Sequence, residues 1–208
     1  MTAIRKNMLH IIAGVNGTGK TKLVMEKFIM RDKRRSLIVN PMREKKWNVF
    51  PSVGDKDLRT FKGIAQIKPQ IDFSDRIGKS YIPMLQSIYY NYQGGNLVMD
   101  DCREIIQANL QDQVKTVMLG YRQNNLDVFA ILHSLRQVPP GVWDHCNGYL
   151  ILFKTQDRDD VYRRLPASVA DEIWEKSKRI TARTNEVEQE AKRTGKTQTE
   201  YPYDIVKL

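Results

Sequence analysis

The residues GVNGTGKT, Gly14 to Thr21, fit the pattern G-x-x-x-x-G-K-[ST] at every fixed position, and no other segment of the chain restricts its fold as strongly. They follow directly on the apolar run Met8 to Ala13, which reads as a strand, and lead into an amphipathic stretch, roughly Lys20 to Met30, which reads as a helix. A strand, a glycine loop and a helix in this order make a P-loop. Its glycines let consecutive backbone N–H groups turn inward around phosphates, while the lysine reaches the terminal phosphates and the hydroxyl ligates magnesium. The positive end of the helix points at the same anion. The expectation is a site for ATP and Mg2+ in which Gly14, Val15, Asn16, Gly17, Thr18, Gly19, Lys20, Thr21 and Lys22 contact the nucleotide and Thr21 also holds the metal.

Four further short apolar runs, residues 36–40, 96–100, 128–133 and 149–153, are bounded by turn or charged residues and read as buried strands of a mostly parallel sheet. Helical spacing lies between them. Ile77, Tyr81, Met84, Leu85, Ile88 and Tyr92 form one apolar face, and Ile105, Ile106, Leu110, Val114, Val117 and Met118 form another. Strands alternating with helices imply right-handed crossovers and an α/β fold of three layers around a mostly parallel central sheet. At 208 residues the chain has room for one such domain, expected over residues 1–157, with a C-terminal helical appendage and tail over 158–208. Pro166-Ala167-Ser168 with Asp171 signals the start of that helix. Its stripe of Val169, Ile173, Ile180 and Val187 suits docking on its own domain or on a coiled-coil partner. The stretch Pro41 to Ile71 has weak periodicity and reads as a long connection with small elements, and the tail after Thr197 as either flexible or pinned by Tyr201, Tyr203 and Ile205.

No apolar run approaches the roughly 18 residues of a membrane span, and the N-terminal apolar stretch runs into the P-loop instead of a cleavage site, so a cytoplasmic protein without an integral membrane segment is expected. Cys102 and Cys146 are too few for a disulfide framework, and His145-Cys146 is a poor start for a metal site in a chain with three histidines. The net charge of +10 is concentrated: between Lys27 and Lys68 there are 12 Lys or Arg against four acids, including RDKRR at Arg31 to Arg35 and REKKW at Arg43 to Trp47. Such a block favours a phosphate backbone by Coulomb attraction and counterion release, or else is a solvated basic surface. Trp47 within it suits stacking on a base or ordinary packing.

The third apolar run ends in Asp100-Asp101, at the carboxyl edge of the sheet where ligands of open α/β folds bind. This is the pattern of a Walker B strand, with Asp100 on the magnesium and Asp101 as general base for the attacking water. The extra run between it and the P-loop strand points to the additional-strand class of P-loop ATPases. Glu is the usual second acid there, so Asp101 is a departure and Glu104 an alternative base. The fourth run ends in His133-Ser134, polar groups placed to face a γ-phosphate if that strand lies between the other two. Arg122, shortly before it, is a candidate to stabilise charge on a nucleotide bound by a neighbouring subunit.

In this order of P-loop, DD-ended strand, Arg122, His133-Ser134, Val138-Pro139-Pro140 and the run GYLILFKTQD, the chain resembles the HerA/FtsK superfamily of DNA-pumping ATPases over about residues 8 to 157. Within it the short single-domain form is similar to viral and phage genome-packaging ATPases and to the ATPase domain of zonula occludens toxin-like phage proteins. The resemblance implies an ATP-hydrolysing motor that translocates or packages double-stranded DNA as a homo-oligomeric ring, with a portal or capsid-type partner. It implies catalytic roles for Lys20, Asp101, Arg122, His133 and Ser134. The superfamily usually ends the fourth strand in Gln; here His133 and Ser134 stand in that place and Gln137 lies slightly later.

Two other readings use the same P-loop. A small-molecule or nucleotide kinase would need a lid, for which Arg158, Arg163 and Arg164 are candidates. A non-hydrolysing nucleotide-dependent scaffold would accord with Asp101 in place of Glu.

Overall fold

The computed structural model describes residues 7–41, 43–69, 77–101, 116–117, 119–138, 140–157, 165, 167–198 and 201–208. The helix expected over Ile105 to Met118 lies outside them except for Thr116 and Val117, as do Cys102, Glu104, Pro166 and the lid candidates Arg158, Arg163 and Arg164.

The strands are β1 (Leu9–Ala13), β2 (Ser36–Val39), β3 (Ile64–Ile67), β4 (Gly95–Met99), β5 (Leu126–Leu132), β6 (Tyr149–Leu152) and β7 (Asp204–Lys207). They form one sheet in the order β3-β2-β4-β5-β1-β6-β7. Every pairing is parallel except β6 with β7. β5 therefore stands between the P-loop strand and the strand that ends at Asp100-Asp101, as the additional-strand class requires. Buried on both faces, β1, β4 and β5 are apolar apart from His10, Asn96 and Asp127, which makes them legible in the sequence.

Alternation along β1 builds the three layers. Leu9, Ile11 and Ala13 point into a core shared with Tyr81, Met84, Leu85 and Ile88 of helix α2 (Ile77–Asn91) and with Ile173 and Ile180 of the C-terminal helix. Ile12 points the other way, into a core with Val24, Ile29, Trp47 and Phe153. Helix α1 (Lys20–Leu23) continues as a π-helical turn, Val24–Ile29, whose wider winding carries Val24 and Ile29 under the sheet. A short helix α3 (Pro140–Trp143) precedes β6.

Helix α4 (Ala167–Thr194) begins at or before Ala167, so Ser168 lies inside it rather than at its cap. Its buried positions Ile173, Ser177, Ile180 and Thr184 recur at helical spacing, and it docks on its own domain along β6 and β7. Polar contacts fix the register: Thr155 Oγ1 meets Ser177 Oγ at 3.1 Å, Lys154 meets Glu188 at 2.8 Å, and Lys176 Nζ donates to the Ile205 carbonyl at 2.6 Å. β7, from the segment read as a tail, completes the sheet edge. Among the described residues no helix is long and apolar enough to cross a membrane.

Candidate functional site

Strand β1 ends at Ala13, and the chain turns through Gly14 to Gly19 into α1. Gly14 is held against the segment after β6: Val15 N–H donates to the Lys154 carbonyl at 2.8 Å, and a Cβ on Gly14 would come within 2.6 Å of Phe153 Cβ. Gly19, with φ of 83°, makes the left-handed turn that starts the helix, a conformation that costs glycine little. Inside the loop Thr18 Oγ1 donates to the Val15 carbonyl at 2.8 Å. Lys20 folds back over it, with Nζ donating to the carbonyls of Gly14 and Val15, both at 2.7 Å. Buried at 6% exposure, its ammonium is pushed down from the usual 10.5 to about 8, chiefly by loss of solvation; Asp100 opposes the shift and Lys46 adds to it.

A pocket of about 360 Å³ opens in front of this loop. Asn16, Gly17, Thr18, Gly19, Lys20, Thr21 and Lys22 form its floor, while Gly14 and Val15 contribute through their carbonyls to Lys20. Asp100, Asp101 and His133, from the ends of β4 and β5, form the facing wall. Asp100 is buried, with Oδ1 3.4 Å from Thr21 Oγ1, and its Oδ2 accepts a 2.6 Å hydrogen bond from Trp47 Nε1. Asp101 adopts a left-handed backbone, φ 46°, which turns its carboxylate toward His133, whose Nε2 lies 3.1 Å away.

The segment after β2 supplies residues that sequence reasoning did not place in the site. Lys46 Nζ lies 3.0 Å from Thr21 Oγ1 and 3.1 Å from Asp100 Oδ2, and Glu44 lines the same pocket. Trp47 is fully buried, so its ring packs the core and its N–H serves Asp100; it is not offered to a base. The only hint in the sequence is a Lys-Trp pair soon after a strand. Tyr201 also lines the pocket, against Gly19.

Ser134 is not among the lining residues. Its hydroxyl donates to Asp157 and accepts from Arg136 N–H at 3.1 Å, so it caps the turn Leu135–Gln137 that follows β5. Gln137 reaches back, its Oε1 accepting from His133 N–H at 3.0 Å, and fixes the end of β5 beside His133. Arg122 lies before the other end of β5, on the sheet edge opposite the pocket; seven strand residues separate the two edges by roughly 20 Å. It is exposed, and its Nε donates to the Tyr121 hydroxyl at 2.8 Å.

Part of the basic block is engaged within the domain. Arg34 pairs with Asp32 at 2.6 Å and with buried Asp127 at 2.8 Å, and its hydrogen bonds hold Asp32 down to about 2. Arg35 caps the carbonyls of Leu58, Arg59, Gln93 and Gly94 and lies over the rings of Phe61 and Tyr92. Arg31, Lys33, Lys45 and Lys62 are exposed. Cys146 donates to the Leu9 carbonyl, its thiol pushed up to about 11 by burial, and among the described residues no group of three His, Cys, Asp or Glu could hold a metal ion.

No family model matches the chain. No curated protein sequence matches it either. Its fold is similar to that of solved structures of the genome packaging NTPase B204 from Sulfolobus turreted icosahedral virus 2. The sulfate complex has a TM-score of 0.57 at 15% identity, covering 82% of this chain and 86% of that one. The ATP-gammaS complex has a TM-score of 0.54 at 17% identity, covering 99% and 94%. B204 described as the DNA-packaging ATPase from Sulfolobus turreted icosahedral virus has a TM-score of 0.58 at 14% identity, covering 99% and 94%. At these identities the likeness is one of fold.

Proposed function

We propose that this chain is an ATP-hydrolysing motor that moves or packages double-stranded DNA, working as a ring of identical subunits of the HerA/FtsK type. The observation that carries the reading is the convergence of Lys20 and Thr21 with Asp100, Asp101 and His133 in one pocket, across an intervening strand. The likeness in fold to a genome packaging NTPase solved with ATP-gammaS supports it.

Thr21 Oγ1 and Asp100 suit a magnesium ion, because the Lys46 ammonium already rests against both, so the site accepts positive charge between them. The ion would neutralise charge on the β- and γ-phosphates. Lys20 transfers its hydrogen bonds from the carbonyls of Gly14 and Val15 to phosphate oxygens. The oxygen of a water attacks the γ-phosphorus, the bond to the bridging oxygen breaks, and ADP leaves with that electron pair. Asp101 takes the water's proton, and His133 holds the carboxylate in place. Ser134 acts only as the cap that positions the end of β5.

On the far edge of the sheet, Arg122 cannot reach its own pocket. In a ring it would face the nucleotide of the next subunit, as a finger that stabilises charge on the transferring phosphate. The exposed Arg31, Lys33, Lys45 and Lys62 are the candidates for DNA contacts. We further propose residues 1–157 as the motor unit, the remainder as an appendage tied to it through α4 and β7, a portal or capsid-type partner, and action in the cytoplasm.

Measuring ATP turnover with and without duplex DNA tests the reading. Strong stimulation by DNA is expected; turnover indifferent to DNA but raised by a small phosphate acceptor would support a kinase, and none at all a scaffold.

A further inference from the structure

Beside the phosphate pocket lies a second cleft of about 260 Å³, and the two share Thr18, Gly19, Lys22 and Tyr201. Its remaining walls come from Leu23, Glu26 and Lys27 of the P-loop helix, from Phe153 just after β6, and from Tyr203. The two tyrosines reach it because β7 runs antiparallel along β6, pairing Leu152 with Asp204, which delivers the residues just before β7 to the mouth of the P-loop. Tyr201 and Tyr203 are two apart and both face the cleft. Tyr201 rests on Gly19, its ring carbons 3.4 to 3.9 Å from where a Cβ would stand. Tyr203 lies against Phe153, ring centres 5.4 Å apart, and keeps 43% of its surface exposed.

A half-buried and an exposed tyrosine ring beside the phosphate pocket suit a flat, apolar occupant that is covalently continuous with phosphates in that pocket. We infer that the C-terminal tail supplies the nucleobase site: the base of the nucleoside triphosphate lies in this cleft against Tyr201 and Tyr203, with its phosphates in the adjoining pocket. The inference rests on the nucleotide reading of the P-loop and adds to it the part of the site that selects a nucleotide over bare polyphosphate. Ring faces tolerate different bases, so the site contributes affinity more than base identity. Because the tyrosines belong to the segment joining α4 to β7, occupying the cleft also ties that segment to the P-loop.

Affinities for ATP and for inorganic tripolyphosphate, measured by calorimetry on the full chain, test this. Wild type should bind ATP more tightly than tripolyphosphate. Tyr203→Ala should weaken ATP by about five- to a hundredfold, the range for losing one base stack, and leave tripolyphosphate unchanged; Tyr201→Ala, at the wall shared with the phosphate pocket, should weaken ATP more than it weakens tripolyphosphate. Tyr201→Phe, which keeps the ring, should restore the preference. Unchanged tripolyphosphate binding by Tyr203→Ala also reports that this variant is folded. If the alanine variants weaken both ligands equally, or neither, the tail is not the base site although the P-loop reading stands. If wild type and Lys20→Ala fail alike to bind either ligand, both readings fall.

Discussion

Lys46 holds its ammonium 3.1 Å from Asp100 Oδ2 and 3.0 Å from Thr21 Oγ1, so a side chain from the loop after β2 occupies the gap between the two oxygens proposed for magnesium. Trp47, next in sequence, donates to the same Asp100 oxygen. The loop and the proposed metal would therefore compete for one carboxylate, and loading the metal would move the lysine. Two like charges this close repel by about 1 kcal/mol even when well solvated. Lys46→Gln should then lower the magnesium concentration needed for half-maximal ATP binding by about fivefold. An unchanged or higher requirement would mean that the lysine does not contest the site.

Burial disfavours the charge of Lys20 and pushes its ammonium down to about 8. Triphosphate favours the charged form, so binding takes up a proton once the pH passes that value. ATP affinity should be flat with respect to this group below about pH 8 and fall above it, by up to tenfold per pH unit. Lys20→Arg keeps its charge throughout and should lack that fall. The stability effect has the opposite sign. The unfolded chain holds this proton up to 10.5, so the lysine's destabilising effect is full below pH 8 and relieved between 8 and 10.5. Titrating affinity from pH 7 to 10 for both proteins checks the first claim.

Asp127, 3% exposed, pairs with Arg34 and also accepts from Met8 N–H. Arg34→Ala leaves that charge short of its partner and should destabilise the fold by about 3 kcal/mol, the low end for a broken buried pair because Arg34 keeps some solvent. Lys33→Ala, one residue away and exposed, should stay within about 0.5 kcal/mol. Urea denaturation of the two variants measures the contrast; equal effects would remove Arg34 from the framework.

Mixing tests the proposed role of Arg122. Arg122→Ala chains and Lys20→Ala chains should each be inactive alone, yet regain turnover when co-assembled, at junctions where an intact Lys20 faces an intact Arg122. Co-assembly without rescue would count against action across subunits.

What could be read from the sequence was local. The P-loop lies within eight consecutive residues, and β1, β4 and β5 are apolar because both of their faces are buried. β3 escaped notice because four residues, Ile64–Ile67, carry too little pattern and acquire their role only by pairing with β2. β7 reads Asp-Ile-Val-Lys at a sheet edge, where only Val206 is buried, so the tail looked like a tail. The site's support is less legible still. Trp47 and Asp100 are 53 positions apart, and no spacing rule links them. Basic residues counted together in the sequence also divide in space: Arg34 and Arg35 turn inward to acids and carbonyls while Lys33 stays in water.

Hydrolysis at Asp101 is proposed to do work on DNA. The most direct test is displacement of a third strand from a duplex, followed with ATP and magnesium for wild type and for Asp101→Asn. Wild type should displace the strand only when ATP is present, and Asp101→Asn should not displace it although that variant still binds ATP. Wild-type ATP turnover without displacement, at any duplex concentration, would contradict the proposal.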